Sequence, residues 1–287
     1  MNTEQILELQ KVQLRIMDDI HRICVEHSLR YYLIGGSALG AVRHNGMIPW
    51  DIDIDIAMPR KDYEKFIELG KNELNPEFEI HDYRTDKNFG TFHAIVVLKG
   101  SKIYFKFEEN SDKQNRFGIF VDILPLDQWP ENKIYKYLLI KEHNLLKIIR
   151  DFRQGDRRHT GNFIKRFIKK TAYFILRATT SIYGINKWEQ NIVSRCNTDD
   201  EGQIWCSKLS HYTLNKLTMP KEYFGTPIIH EFSSRSYYIP AQVDKYLSHL
   251  FGDYMKLPPE DKRYELIDQL EFASWHDKDG KYHQINS

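Results

Sequence analysis

Residues 51 to 56 read Asp-Ile-Asp-Ile-Asp-Ile. In an extended chain every second side chain points the same way, with like-facing neighbours about 7 Å apart. Asp51, Asp53 and Asp55 therefore share one face, while Ile52, Ile54 and Ile56 share the other. The isoleucine face demands a core. The aspartate face raises its members' pKa values unless a cation sits among them. Hard divalent ions take carboxylate oxygens in this way and keep room for waters and phosphate oxygens. An edge strand with a solvated acidic face, which discourages aggregation, is the competing reading. The stretch alone leaves both open.

The upstream residues favour a ligand. Gly35-Gly36-Ser37 stands between a β-prone run at 31–34 and a short helical stretch that stops near Asn45-Gly46, a favourable C-cap pair. Glycine there permits close backbone approach, and a helix N-terminus offers N–H groups to an anion. A lone Gly-Gly-Ser is a weak signal. Roughly 15 residues before an alternating aspartate strand it becomes half of a metal-bridged phosphate site. That chemistry wants a third carboxylate. Asp122 fits, because it lies in a run of Phe, Ile and Val where an unpaired charge is expensive. Asp127, just after Pro125, reads instead as a cap or turn residue.

The rest of the chain supplies a frame of the α/β (α+β) class. Ile6, Leu9, Val12, Ile16, Ile20 and Ile23 predict an amphipathic helix over 3–28, with a capping box from Asn2 to Gln5. Strand patterns fall at 52–57, 91–98, 102–107 and 117–123, and Tyr63, Phe66, Ile67 and Leu74 mark a helix between them. Helices on a small mixed sheet are expected over residues 1–130. A mainly helical region, 131–287, is expected to pack on them, its first face marked by Tyr135, Leu138, Leu139, Leu145, Ile148 and Ile149. Three cysteines without C-x-x-C spacing argue against a disulfide framework or a cysteine zinc site. No signal peptide or run of about 20 apolar residues is evident, so a cytoplasmic protein is expected.

The order GGS-x2-G-x2-RH-x-G-x-IPWD-x-D-x-D, then VDI-x-PLD and a late FGDYMKLPP, resembles the LicD family of phosphotransferases. That family includes bacterial phosphorylcholine transferases and is related to the fukutin-related ribitol-phosphate transferases. The resemblance runs from about residue 10 to 262, with 131–205 unmatched. It departs at Ile52, where bacterial members commonly carry another Asp; position 52 points to the core and need not bind metal.

The resemblance implies a nucleotidyltransferase-like core. It also implies transfer of a phospho-alcohol, phosphocholine foremost, from a CDP-linked donor to a sugar hydroxyl of a glycan, lipid-linked glycan or teichoic acid precursor, releasing CMP. CDP-ribitol and CDP-glycerol are alternative donors. The cofactor implied is Mg²⁺, or Mn²⁺ in its place. By position, Asp53 and Asp55 would hold the metal with Asp51 completing the cluster. Gly35, Gly36 and Ser37 would cradle donor phosphate, and Asp122 would be metal ligand or base.

Neighbouring residues carry two readings each. Arg43 either holds donor phosphate or balances the aspartates' charge. His44 either caps the short helix or orients substrate. Trp50 either packs beneath the aspartates or stacks on a base or choline. Arg263 and Asp253 read as structural closure, with reach into the site the less favoured option.

Charge is unevenly spread. The formal net is +1, yet residues 141–187 hold twelve Lys and Arg against three acids. Within it, 162–185 mixes Phe and Ile with Lys and Arg as a helix at a membrane surface does, so an inner-leaflet contact competes with a core-covering helix. Nucleic acid is not expected as a partner. Two other classes compete with the phosphotransferase. One is a nucleotidyltransferase using a nucleoside triphosphate. The other is a membrane-surface protein whose acidic strand holds a structural cation.

Overall fold

The computed structural model describes residues 3–87, 89, 91, 93–106, 118–130, 132–153, 175, 178–195, 203–206 and 214–286. The first helix, α1 (Thr3–Glu26), buries all six of its expected apolar positions. Its proposed capping residue Asn2 lies outside the described residues. Next come β1 (Tyr32–Leu33), α2 (Gly35–His44), β2 (Asp55–Pro59), α3 (Arg60–Glu73), β3 (Phe78–His81), β4 (Ala94–Leu98), β5 (Lys102–Phe105) and β6 (Phe120–Trp129).

Five of these strands form a mixed sheet in the order β1-β2-β6-β4-β3. Only the β2–β6 pair within that path is parallel. A parallel pair needs a long crossover, and α3 with the β3–β4 hairpin provides it. Helices α1 and α3 pack on each other and on the sheet, over a core that includes Ile16, Ile20, Ile56, Met58, Phe66 and Val121.

The later chain carries strands as well as helices. Helices α4 (Lys133–Arg153) and α5 (Ile182–Ser194) precede β7 (Gln203–Cys206), α6 (Leu214–Leu217), β8 (Thr218–Pro220) and α7 (Lys221–Phe224). β7 pairs with β6 and β8 with β7, so this part of the chain extends the same sheet. The hairpin β9 (Ile228–Phe232) and β10 (Arg235–Ile239) follows, then α8 (Val243–Phe251) and α9 (Glu265–Gln269). The chain closes with β11 (Leu270–His276) and β12 (Tyr282–Asn286), and β11 also pairs with β5. Of these late strands, the Ser236–Ile239 run of β10 is readable locally, whereas the pairing of β7 with β6 and of β11 with β5 joins segments far apart in sequence.

Three sequence expectations change in detail. The ladder of β2 begins at Asp55, so Asp51 to Ile54 form a lead-in outside it. In α4 only Leu139 of the expected face is deeply buried, together with Leu146, against Ile185 and Ile192 of α5. Tyr135, Leu138, Leu145 and Ile148 are exposed, because α5 covers the opposite side. Most of 162–185 lies outside the described residues. Its end, however, starts α5: Ser181 caps that helix by accepting from the Gly184 N–H, and Ile182 and Ile185 are buried.

Candidate active site

The lead-in to β2 is fastened from below. Ahead of Ile54 its carbonyls lie outside the ladder, and a buried carbonyl without a donor is costly. Two buried glutamines of α1 supply donors: Gln10 Nε2 to the carbonyls of Ile48 (3.0 Å) and Asp51 (2.8 Å), and Gln13 Nε2 to Ile52 (2.5 Å). The isoleucines face the core, with Ile52, Ile54 and Ile56 all at 1% exposure or less. Asp51, Asp53 and Asp55 are only half-buried. The two faces of the alternation are thus distinct even where no ladder exists.

The aspartates interact. Burial pushes the Asp51 carboxyl up to about 6, and the Asp55 charge adds to that rise. A hydrogen bond shared with Asp53 and the Ile52 N–H oppose it. β6 brings a fourth carboxyl: Asp122 is the direct partner of Asp55 in the parallel ladder, and its N–H donates to the Ile54 carbonyl at 2.9 Å. Registered residues on adjacent strands project to the same side. Asp122 is buried and lies 2.6 Å from His93 Nε2, itself 1% exposed. Sequence reasoning passed over His93 as one residue of a strand pattern; its contact follows from the antiparallel β4–β6 pairing.

The glycine turn lies against this cluster. A Cβ on Gly36 would sit 2.8 Å from Asp51 Oδ2, so only glycine lets the two meet. Gly35 has φ of 53°, which a side chain disfavours, and its N–H donates to the buried Tyr246 hydroxyl of α8 at 2.9 Å. Ser37 Oγ accepts the Asp55 N–H at 2.9 Å, tying the first turn of α2 to the start of β2. The first turn of α2 and the clustered carboxylates therefore adjoin. An oxygen-only donor set, with one member's pKa raised by burial and by the Asp55 charge, suits a hard divalent ion.

Arg43, His44 and Trp50 gather at one side. Arg43 does not pair with the aspartates; its Nη1 donates to the carbonyls of Tyr254 (3.0 Å) and Lys256 (3.5 Å), and its Nε to His44 Nε2. Asn45, with φ of 53°, forms the C-cap of α2, so His44 lies in the last turn, with its ring edge-on to Trp50 at 5.6 Å. Trp50 is partly buried against the core. Asp127 is no turn residue: it lies on β6, fully buried, and forms a two-pronged pair with Arg60. A separate group, Glu26, His27 and Glu73, converges within 4.8 Å on the surface. His27 bonds Glu73 and Arg22 bonds Glu26, which makes it an ordinary exposed ion-pair cluster.

The comparisons with known proteins bear on this arrangement. The sequence profile for the LicD/FKTN/FKRP nucleotidyltransferase domain matches residues 28–152, a span that includes the glycine turn and all four aspartates. The lipopolysaccharide cholinephosphotransferase LicD of Haemophilus influenzae is 30% identical over 266 residues, which is 88% of this chain and 92% of that protein. The chain belongs to the LicD family. Other relatives of this LicD chain are partial. An uncharacterized protein of Rickettsia typhi is 30% identical over 131 residues, 46% of this chain and 39% of its own. The ribitol 5-phosphate transferase FKRP of Homo sapiens is 53% identical over 34 residues, 12% of this chain and 7% of its own.

Proposed function

We propose that this protein transfers a phospho-alcohol, phosphocholine first among candidates, from a CDP-linked donor to a sugar hydroxyl of a cell-surface glycan, releasing CMP. The observation that carries the reading is the parallel register of Asp55 with Asp122 beside the Gly36–Asp51 contact. Likeness along nearly the whole chain to a lipopolysaccharide cholinephosphotransferase supports the substrate class. Gly36 and Ser37 receive donor phosphate at the start of α2. A divalent ion, Mg²⁺ or Mn²⁺, held by Asp53 and Asp55 with Asp51 beside them, would neutralise the diphosphate and the charge that builds on departing CMP.

Asp122, steadied by His93, takes the proton of the acceptor hydroxyl. The hydroxyl oxygen then forms its bond to the phosphorus bearing the alcohol, and the bond from that phosphorus to the CMP oxygen breaks.

The test is a thermal shift of wild type and Asp53→Asn with CDP-choline, CDP-ribitol, CDP-glycerol and ATP, each with and without Mg²⁺. A ligand at a hundred times its Kd stabilises by about 2.7 kcal/mol. One CDP-alcohol should stabilise the wild type only with Mg²⁺, and the variant should not respond. A response to ATP alone would hand the site to nucleotidyl transfer. Silence to every nucleotide would remove the enzymatic reading.

The reading includes work on the cytoplasmic face of the membrane, on lipid-linked glycan. No helix among the described residues is long and apolar enough to cross a bilayer. The support comes from α4, which is apolar on two sides while only one is covered. Ile134, Tyr137, Leu138, Leu145 and Ile148 are each more than half exposed, with Lys133, Lys141 and Lys147 on the same helix. That pairing suits anionic headgroups over acyl chains. Vesicles containing one-third anionic lipid should sediment the wild type and release most of a Leu138→Ser, Leu145→Ser variant. Equal sedimentation of both proteins, or none of the wild type, would sink the membrane component.

A further inference from the structure

We propose that Arg263, held against the face of Trp50, is the anion-binding side chain at the rim of the aspartate site, and that it takes a phosphate oxyanion of a substrate. Trp50 directly precedes Asp51, so the platform belongs to the residue next in the chain to the carboxylate cluster. The Arg263 guanidinium lies 5.2 Å from the Trp50 ring centroid, and the Tyr264 ring is 6.4 Å from it. Arginine has five N–H donors in a planar fork. Here Nε donates to the Pro258 carbonyl at 3.0 Å, which fixes the plane of the group. The carboxylate near it among the described residues, Glu260, is 3.8 Å away and 88% exposed, too distant for a hydrogen bond and heavily screened.

A second guanidinium stands beside the first. Arg43 has no carboxylate partner among the described residues, and its donors go to His44 and to the carbonyls of Tyr254 and Lys256. Burial and the neighbouring Arg263 charge pull Arg43 below its ordinary range. Burial and the Arg43 charge in turn lower the His44 imidazole. Like charges brought together without a counter-ion are unfavourable, and a bound oxyanion removes that penalty.

The two arginines have different duties. Arg43 fastens the Tyr254–Lys256 loop to the end of α2, and the chain that follows this loop carries Arg263 onto Trp50. The terminal nitrogens of Arg263 make no hydrogen bond among the described residues and remain to receive the anion. The guanidinium over the Trp50 ring face would repel a quaternary ammonium brought to the same face.

The oxyanion has two possible sources, the donor diphosphate and a phosphate on the acceptor glycan. Only the naming of these substrates rests on the transferase reading. Titration of inorganic pyrophosphate in 2 mM Mg²⁺ needs neither substrate. Arg263→Gln should raise the Kd for pyrophosphate at least tenfold when the donor is the source, and Arg263→Lys should recover part of the loss. Arg263→Lys also retains the charge should Arg263→Gln fold poorly, and melting curves of both variants report that. The Kd for CDP-choline would rise in parallel with pyrophosphate. If the acceptor is the source, both Kd values hold while the acceptor KM rises tenfold and the difference vanishes with phosphatase-treated acceptor. Folded variants with all three constants within twofold of wild type would overturn the proposal. A wild type that binds pyrophosphate through Arg263 but ignores every CDP-alcohol would leave it standing and remove the transferase reading.

Discussion

Asp55→Asn should lower transfer by on the order of a thousandfold while leaving the fold intact and, without metal, more stable. The side chain keeps its shape and loses only its charge. Its own N–H to Ser37 and its ladder with Asp122 are backbone interactions and survive. What goes is one anionic oxygen donor beside Asp51 and Asp53, and loss of a single preorganised electrostatic partner of a transition state commonly removes two to three decades of rate.

The stability half follows from Asp51. Its folded carboxyl titrates near 6, raised by burial and then by the Asp55 charge. Between the ordinary carboxylate value and 6, the folded state holds a proton that the unfolded state has released. Stability therefore falls as pH rises through that window, by up to about 3 kcal/mol at 1.36 kcal/mol per pH unit. Asp55→Asn removes the second cause and should flatten the slope; bound Mg²⁺ should flatten it in the wild type too. Melting curves from pH 4.5 to 7 in EDTA, for wild type, Asp55→Asn and Asp51→Asn, test this. An Asp55→Asn enzyme with a tenth of wild-type kcat/KM, or a slope identical in all three proteins, would show that the aspartates do not act as one cluster.

What could be read locally was read from spacing. The period of two at 51–56 assigned each side chain to its face, and the period of α1 placed Ile6 through Ile23 in the core. Faces are local properties. Partners are not. His93 meets Asp122 only because β4 pairs antiparallel with β6, a register no window of sequence contains. Gln10 and Gln13 interrupt an apolar helix face, which is a readable sign of buried polar work, yet nothing local says that they receive the carbonyls around Asp51. Arg43 was open to two electrostatic roles by sequence, and its bonds to carbonyls more than 200 positions away could not be read there. The α4 pattern was legible as apolar, but which of its sides is covered depends on α5.

Asp127→Ala should be the most destabilising single change in the sheet. Asp127 is fully buried on β6, where both its oxygens meet the Arg60 fork: Nε to Oδ1 at 2.7 Å and Nη2 to Oδ2 at 2.5 Å. Arg60 also donates from Nη1 to Gln190 of α5 at 2.7 Å and to Glu64 at 3.1 Å. Burial opposes the Arg60 charge, and the Asp127 carboxylate outweighs that and raises its pKa. Removing Asp127 takes the two-pronged partner from a buried guanidinium and leaves it only Glu64 and Gln190, and losing one member of a buried pair typically costs about 3–5 kcal/mol. For a chain of this size that lowers Tm by roughly 10 °C.

The double change Arg60→Met, Asp127→Leu should recover most of the loss, since apolar replacement of both members of a buried pair is often neutral. Activity need not follow stability back. Pro59 pairs with Leu126 in the parallel ladder, so Arg60 and Asp127 clamp the far end of the strands whose near end sets Asp55 beside Asp122. If the clamp fixes that register, the double variant melts like wild type yet binds Mg²⁺ more weakly. If packing alone fixes it, stability and metal binding return together. A loss below about 1 kcal/mol for Asp127→Ala would mean that Glu64 and Gln190 suffice for the Arg60 charge and that the pair carries little of the sheet.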